Sequence, residues 1–134
     1  MTVARQLKLL LLPKRYSVVR LASDVPIPPW ATQGPFFSIT RSTDEISVVV
    51  QESFVPAGEI AQHGWRMLKL HGPFAFSEVG VLASLVAPLA DAKISLFAIS
   101  TFDTDYLLVL SDVLEAAITT LEQSGHKIHR SSTE

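Results

Sequence analysis

No cysteine occurs among the 134 residues, so a disulfide framework and thiolate chemistry are both excluded. Neither sign of charge dominates. Eleven Lys and Arg against thirteen Asp and Glu give a net charge of −2, and a sequence pI near 6.1 leaves no electrostatic footprint for nucleic acid. No apolar run approaches the roughly 20 residues of a membrane span. The N-terminal "MTVARQLKLLLLPK" imitates a signal peptide, but its apolar run, Leu9 to Leu12, is short. Pro13-Lys14 ends that run where a cleavage site would follow. A soluble cytoplasmic protein with no membrane contact is expected. The motifs G-x-S-x-G, Walker A, G-x-G-x-x-G and H-E-x-x-H are also missing, and with them the usual signatures of hydrolase, nucleotide and zinc chemistry. Nothing pairs a nucleophile with a base, so no enzyme and no cofactor are expected.

What is present is apolar. Hydrophobic residues make up 48% of the chain and charged ones 18%, with a mean hydropathy of +0.32, which excludes disorder. The length suits one ordinary domain, or two small modules sharing a core. So much apolar surface on a small protein points to burial against a second copy, and a homodimer is expected.

From Trp65 onward the pattern is regular. "WRMLKLHG" (Trp65 to Gly72) reads as a strand ended by Gly72-Pro73. Ser77 can cap a helix in which Leu82, Leu85, Val86 and Leu89 follow the i, i+3, i+4, i+7 spacing, with a kink or last turn at Pro88. "KISLFAIST" (Lys93 to Thr101) and "DYLLVL" (Asp105 to Leu110) are strands joined by Phe102-Asp103-Thr104. Ser111 or Asp112 caps a second helix, with Asp112 and Glu115 as a capping-box-like pair and Gly125 as its stop. "HKIH" (His126 to His129) is a short last strand. The order strand, helix, strand, strand, helix, strand predicts an α+β, ferredoxin-like fold, with both helices on one face of a four-stranded antiparallel sheet. Helices cover only one face. The apolar strands around Phe97 and Leu108 therefore predict cover on the other, from the N-terminal strands or from another subunit.

The first 60 residues are strand-rich. "LKLLLLP", "YSVVRL", "PFFSITR" and "EISVVVQES" read as short strands, and the prolines of Ser23 to Pro35 leave room for one helical turn. The boundary is expected within Val55 to Gly64, dividing the chain into residues 1–60 and 61–134.

The candidate chemistry is narrow. His126 and His129 form an H-x₂-H pair whose members point to opposite faces of a strand, so no metal site is expected. Trp65 and Met67 read as core. Asp103 and Asp105 form a D-x-D pair; Asp103 suits a turn former, whereas Asp105 opens a strongly apolar strand. Glu78 lies at the first helix start, where the dipole favours an acid. Each acid has a structural explanation alone. Together they stand out, because the first-helix start and the strand hairpin can lie close at a sheet edge in this fold. Gly80 permits a close backbone approach, and the amides after Ser77 suit a carboxylate.

The segment Phe76 to Val109, with Glu78-x-Gly80, "PLADAKIS" (Pro88 to Ser95) and "ISTFDTDYLLV" (Ile99 to Val109), resembles the amino-acid-binding ACT domain. The likeness is to the bacterial stand-alone, CASTOR-like branch. "GPFFSITRSTDEISVVV" (Gly34 to Val50) resembles the reduced ACT-like repeat that precedes the complete one in that branch. The resemblance implies a non-catalytic sensor or regulator holding a small ligand, an amino acid, at an interface between ACT repeats. The matching pocket positions are Glu78, Gly80, Thr101, Phe102 and Asp105, with Ala75 standing where the family pattern has a glycine. It leaves room for a protein effector. An alternative reading is an ACT-fold assembly protein without a functional ligand site.

Overall fold

The computed structural model describes residues 6–75 and 79–133. Seven strands and two α-helices follow in chain order among them: β1 (Lys8–Leu21), β2 (Phe37–Arg41), β3 (Ile46–Gln51), β4 (Ile60–Leu70), α1 (Ala83–Asp91), β5 (Phe97–Ser100), β6 (Asp105–Leu110), α2 (Leu114–Gln123) and β7 (Lys127–Arg130). The chain forms two compact units, residues 6–13 with Arg66–Thr133 and Lys14–Trp65. β1 and β4 contribute residues to both, so the units divide inside two strands. No described helix is long and apolar enough to cross a membrane.

The larger unit has the expected βαββαβ order in β4, α1, β5, β6, α2 and β7, in an α+β ferredoxin-like fold. Its sheet is not four-stranded, however. The first part of β1 enters between β4 and β7, parallel to β7 from Lys8↔Lys127 to Leu11↔Arg130. Alternation places Leu9, Leu11, Leu68, Leu70, Leu107 and Val109 on the helix side, packed with Leu85 and Leu89 of α1 and Leu114, Ala117, Ile118 and Leu121 of α2. The apolar spacing read from the sequence is the spacing that is buried. On the opposite face Met67 and Leu108 are also fully buried.

The helix ends differ from expectation in detail. Ser77 lies outside the described residues; α1 begins at Ala83, with no side-chain cap, and carries Pro88 in its last turn. The end of α1 uses Lys93 at φ 60°, whose N–H donates to Ala90 while Ile94 N–H donates to Leu89. Those bonds consume the residues expected to start the next strand, so β5 begins only at Phe97. At α2 the capping box does not form. A 3₁₀ turn, Ser111–Val113, runs straight into the helix without a side-chain cap, and Glu115 instead accepts from Arg130 at 2.6 Å. Gly125 is the helix stop as expected: at φ 97° it donates to Glu122, and His126 N–H donates to Leu121.

In the smaller unit the order is β2-β3-β1-β4. β1 pairs antiparallel with β3 from Tyr16↔Gln51 to Leu21↔Ile46, and β3 with β2. Val19, Ile46, Val48 and Val50 bury against Ala31 of the single 3₁₀ turn Pro29–Thr32 that the prolines leave room for. One expectation is corrected here. "LKLLLLP" and "YSVVRL" form one strand, because Pro13 falls between the span of β1 paired with β7, ending at Leu11, and the span paired with β3, starting at Tyr16. Its missing N–H is therefore demanded by neither partner. The segment Val55 to Gly64, where the boundary is expected, contains the start of β4, and Gly64 at φ 82° donates there to Glu52 Oε1 at 2.7 Å.

Candidate functional site

The hairpin between β5 and β6 closes at Ser100↔Asp105, leaving Thr101 to Thr104 as its tip. The tip braces itself. Thr101 N–H donates to the Thr104 carbonyl at 2.8 Å, Thr101 Oγ1 donates to the same oxygen at 3.1 Å, and Thr104 N–H donates to Thr101 Oγ1 at 3.3 Å. It is also fastened to the strand end before α1. Buried Thr104 donates through Oγ1 to the Leu70 carbonyl at 3.0 Å, and Phe74 N–H donates to the Asp103 carbonyl at 2.7 Å. Gly72 makes that approach possible, since a Cβ there would stand 3.1 Å from the Asp103 oxygen.

This fastening brings the predicted residues together. Ala75, Thr101, Phe102 and Asp105 line one cavity of about 200 Å³, together with Phe74, Val81 and Ser100. Glu78 lies outside the described residues. Gly80 is not in the lining; its φ of 79° requires glycine, and a Cβ there would meet nothing within 4 Å. Asp105 accepts from Ser100 Oγ at 2.5 Å and is paired with no cation among the described residues. Phe102 is 77% exposed and Val79 86%. The lining offers two acids, Asp103 and Asp105, an exposed aromatic ring and a small apolar floor, which suits a cationic group carried on a short chain. Asp103 serves the turn through its backbone, as a turn former does.

Two residues of this region escaped the sequence reading. Thr104 sits between two aspartates and looks like one more turn residue; its partner, Leu70, is 34 positions away. Ser100 has the only available signal, since residues facing each other across a tight hairpin meet by register. The histidine pair does not converge: His126 is buried and His129 exposed. No described group of three His, Cys, Asp or Glu is placed to hold a metal ion.

Comparison with known proteins adds three findings. The ACT-domain family model matches residues 60–123, and a second model, described as an N-terminal domain, matches residues 14–58. The rat cytosolic arginine sensor for mTORC1 subunit 1 is 33% identical over 107 residues, covering 71% of this chain and 31% of that protein. The chain thus spans about a third of the length of that curated relative. Among solved structures, a protein of Agrobacterium tumefaciens is 39% identical with a TM-score of 0.92, covering 98% of both chains. The regulatory subunit of aspartate kinase from Thermus flavus, at 12% identity and a TM-score of 0.59 over 92% of this chain and 99% of that one, shares the fold.

Proposed function

The chain belongs to the ACT-domain family, and from that premise we propose that it is a non-catalytic, cytoplasmic regulatory protein that binds an amino acid in the cavity lined by Ala75, Thr101, Phe102 and Asp105. The observation that carries the reading is that Ala75, from the segment before α1, meets Thr101, Phe102 and Asp105 of the β5–β6 hairpin in one concave site. Glu78, outside the described residues, and Gly80, which is not in the lining, enter the proposal through the family resemblance alone. Two acids, Glu78 and Asp105, favour a ligand with an ammonium or guanidinium group, held by charge-assisted hydrogen bonds. The name of the rat relative, an arginine sensor, points the same way, so basic amino acids are the first choice.

The ligand is read as enclosed when an ACT-like repeat of a second copy, in a homodimer, covers the cavity. Phe102, exposed at the cavity wall, is suited to such a partner surface, and Val79 is exposed as well. The same exposure favours a second reading, an assembly protein that docks an effector there without ligand. Catalysis is not part of either reading. Ser17 Oγ lies 2.6 Å from His63 Nδ1, but Ser17 is fully buried and can meet no substrate.

The test is a thermal-shift screen of the twenty amino acids at millimolar concentration, on protein stripped of bound metabolite by mild unfolding. A ligand at one hundred times its Kd adds about 2.7 kcal/mol, which for a chain of this size is a rise of roughly 8–14 °C. A shift with at least one amino acid is expected. No shift with any would favour the assembly reading.

A further inference from the structure

A second cavity, of about 400 Å³, lies on the other side of the same hairpin tip. β4 alternates its faces, so Lys69 and His71 project away from Leu68 and Leu70, which pack with the helices. Leu10 of β1, Leu70 at the end of β4, Tyr106 of β6 and the Gly72-Pro73 corner also line it. Thr101, Asp103 and Thr104 line both cavities, so one turn is a wall of each. Lys69 Nζ stands 5.9 Å from the centroid of the Tyr106 ring and makes no ion pair among the described residues.

We propose that this cavity is a second ligand site, taking a small organic acid whose carboxylate meets Lys69 and whose apolar part lies against Leu10 and the Tyr106 ring. Three features select that class. A wholly apolar occupant would strip water from the Lys69 ammonium and return nothing to it. A phosphate or other multiply charged anion would meet the like charge of Asp103 in the same lining. A single carboxylate satisfies Lys69 at the least repulsion, and His71 adds a second polar group beside it. Because the Thr101–Thr104 turn serves both cavities, occupancy of one alters the turn that the other contacts, and any such coupling is reciprocal. The coupling rests on the amino-acid reading above; the second site does not.

The test is an NMR titration of the full chain, following backbone amides, with benzoate as the probe and benzamide as its uncharged counterpart. Saturable shifts at His71, Gly72, Thr101, Thr104 and Tyr106 are expected with benzoate, and benzamide should bind roughly tenfold more weakly, as loss of one charge-assisted bond dictates. Lys69→Met should weaken benzoate to a similar degree, with Lys69→Gln as the second variant should the first disturb the spectrum. Absence of saturation, equal binding of benzamide, or undiminished binding to both Lys69 variants would overturn the proposal. Benzoate binding without any response to amino acids would sink only the first reading, and the reverse result only this one.

Discussion

His126 donates through Nε2 to the carbonyl oxygen of Ser84 at 3.0 Å, the carbonyl that Pro88, four residues on and lacking an N–H, leaves without its helical donor. The ring's other nitrogen is committed too. Leu7 N–H donates to Nδ1 at 3.1 Å, which leaves Nε2 as the donor to Ser84. With 4% of its surface exposed, one imidazole ties the chain before β1 to the interior of α1.

His126→Leu should therefore leave two backbone groups unpaired, the Leu7 N–H buried and the Ser84 carbonyl part-buried, and cost about 2–6 kcal/mol, at ~1–3 kcal/mol for each group. In a Pro88→Ala background the restored N–H satisfies Ser84, and the cost of His126→Leu should fall by about 1 kcal/mol. Chemical denaturation of the four proteins measures both effects. Strictly additive losses would contradict the link.

Lys93 holds a left-handed conformation, φ 60°, at the end of α1, where glycine carries no Cβ penalty. Lys93→Gly should raise stability by about 1 kcal/mol, and Lys93→Val should lower it. A lower midpoint for the glycine variant in urea would refute this.

Leu114, Ala117, Ile118 and Leu121 were legible because helical burial repeats every three to four positions, and Asp105 to Leu110 because its apolar run begins and ends where β6 does. His126 was legible only as the start of a strand, since its partners lie at positions 7 and 84. Long-range pairing leaves no local signal. The same is true of Thr104, and of the insertion of β1 beside β7, which nothing in "LKLLLLP" announces. Four site residues were placed near one another by the family resemblance rather than by periodicity, and the fastening of the hairpin tip to Leu70 and Phe74 supplies the physical cause.

Thr101 and Asp105 should separate under mutation. Thr101 Oγ1 is engaged within the turn, so Thr101→Ala should cost about 1 kcal/mol of stability as well as weakening ligand binding. Asp105→Ala should change stability by no more than about 0.5 kcal/mol, as for a partly exposed side chain, while abolishing amino-acid binding. Calorimetry with the amino acid found in the screen, beside melting curves, measures both. Unchanged affinity in Asp105→Ala would remove Asp105 from the site.

The last prediction concerns self-association. Phe102 and Val79 are the most exposed large apolar side chains among the described residues, at 77% and 86%. A folded chain gains nothing by holding two such groups in water, and each would contribute about 1.5–3 kcal/mol if fully buried against another surface. The protein should therefore form a dimer at micromolar concentration, visible as twice the monomer mass by light scattering on a sizing column. Phe102→Asp places a charge where that contact forms and should shift the population to monomer while the melting behaviour of the monomer is retained. Phe102→Leu keeps the surface apolar and should leave the dimer in place. A wild-type protein that remains monomeric throughout this range, or a dimer indifferent to Phe102→Asp, would move the partner surface elsewhere on the molecule.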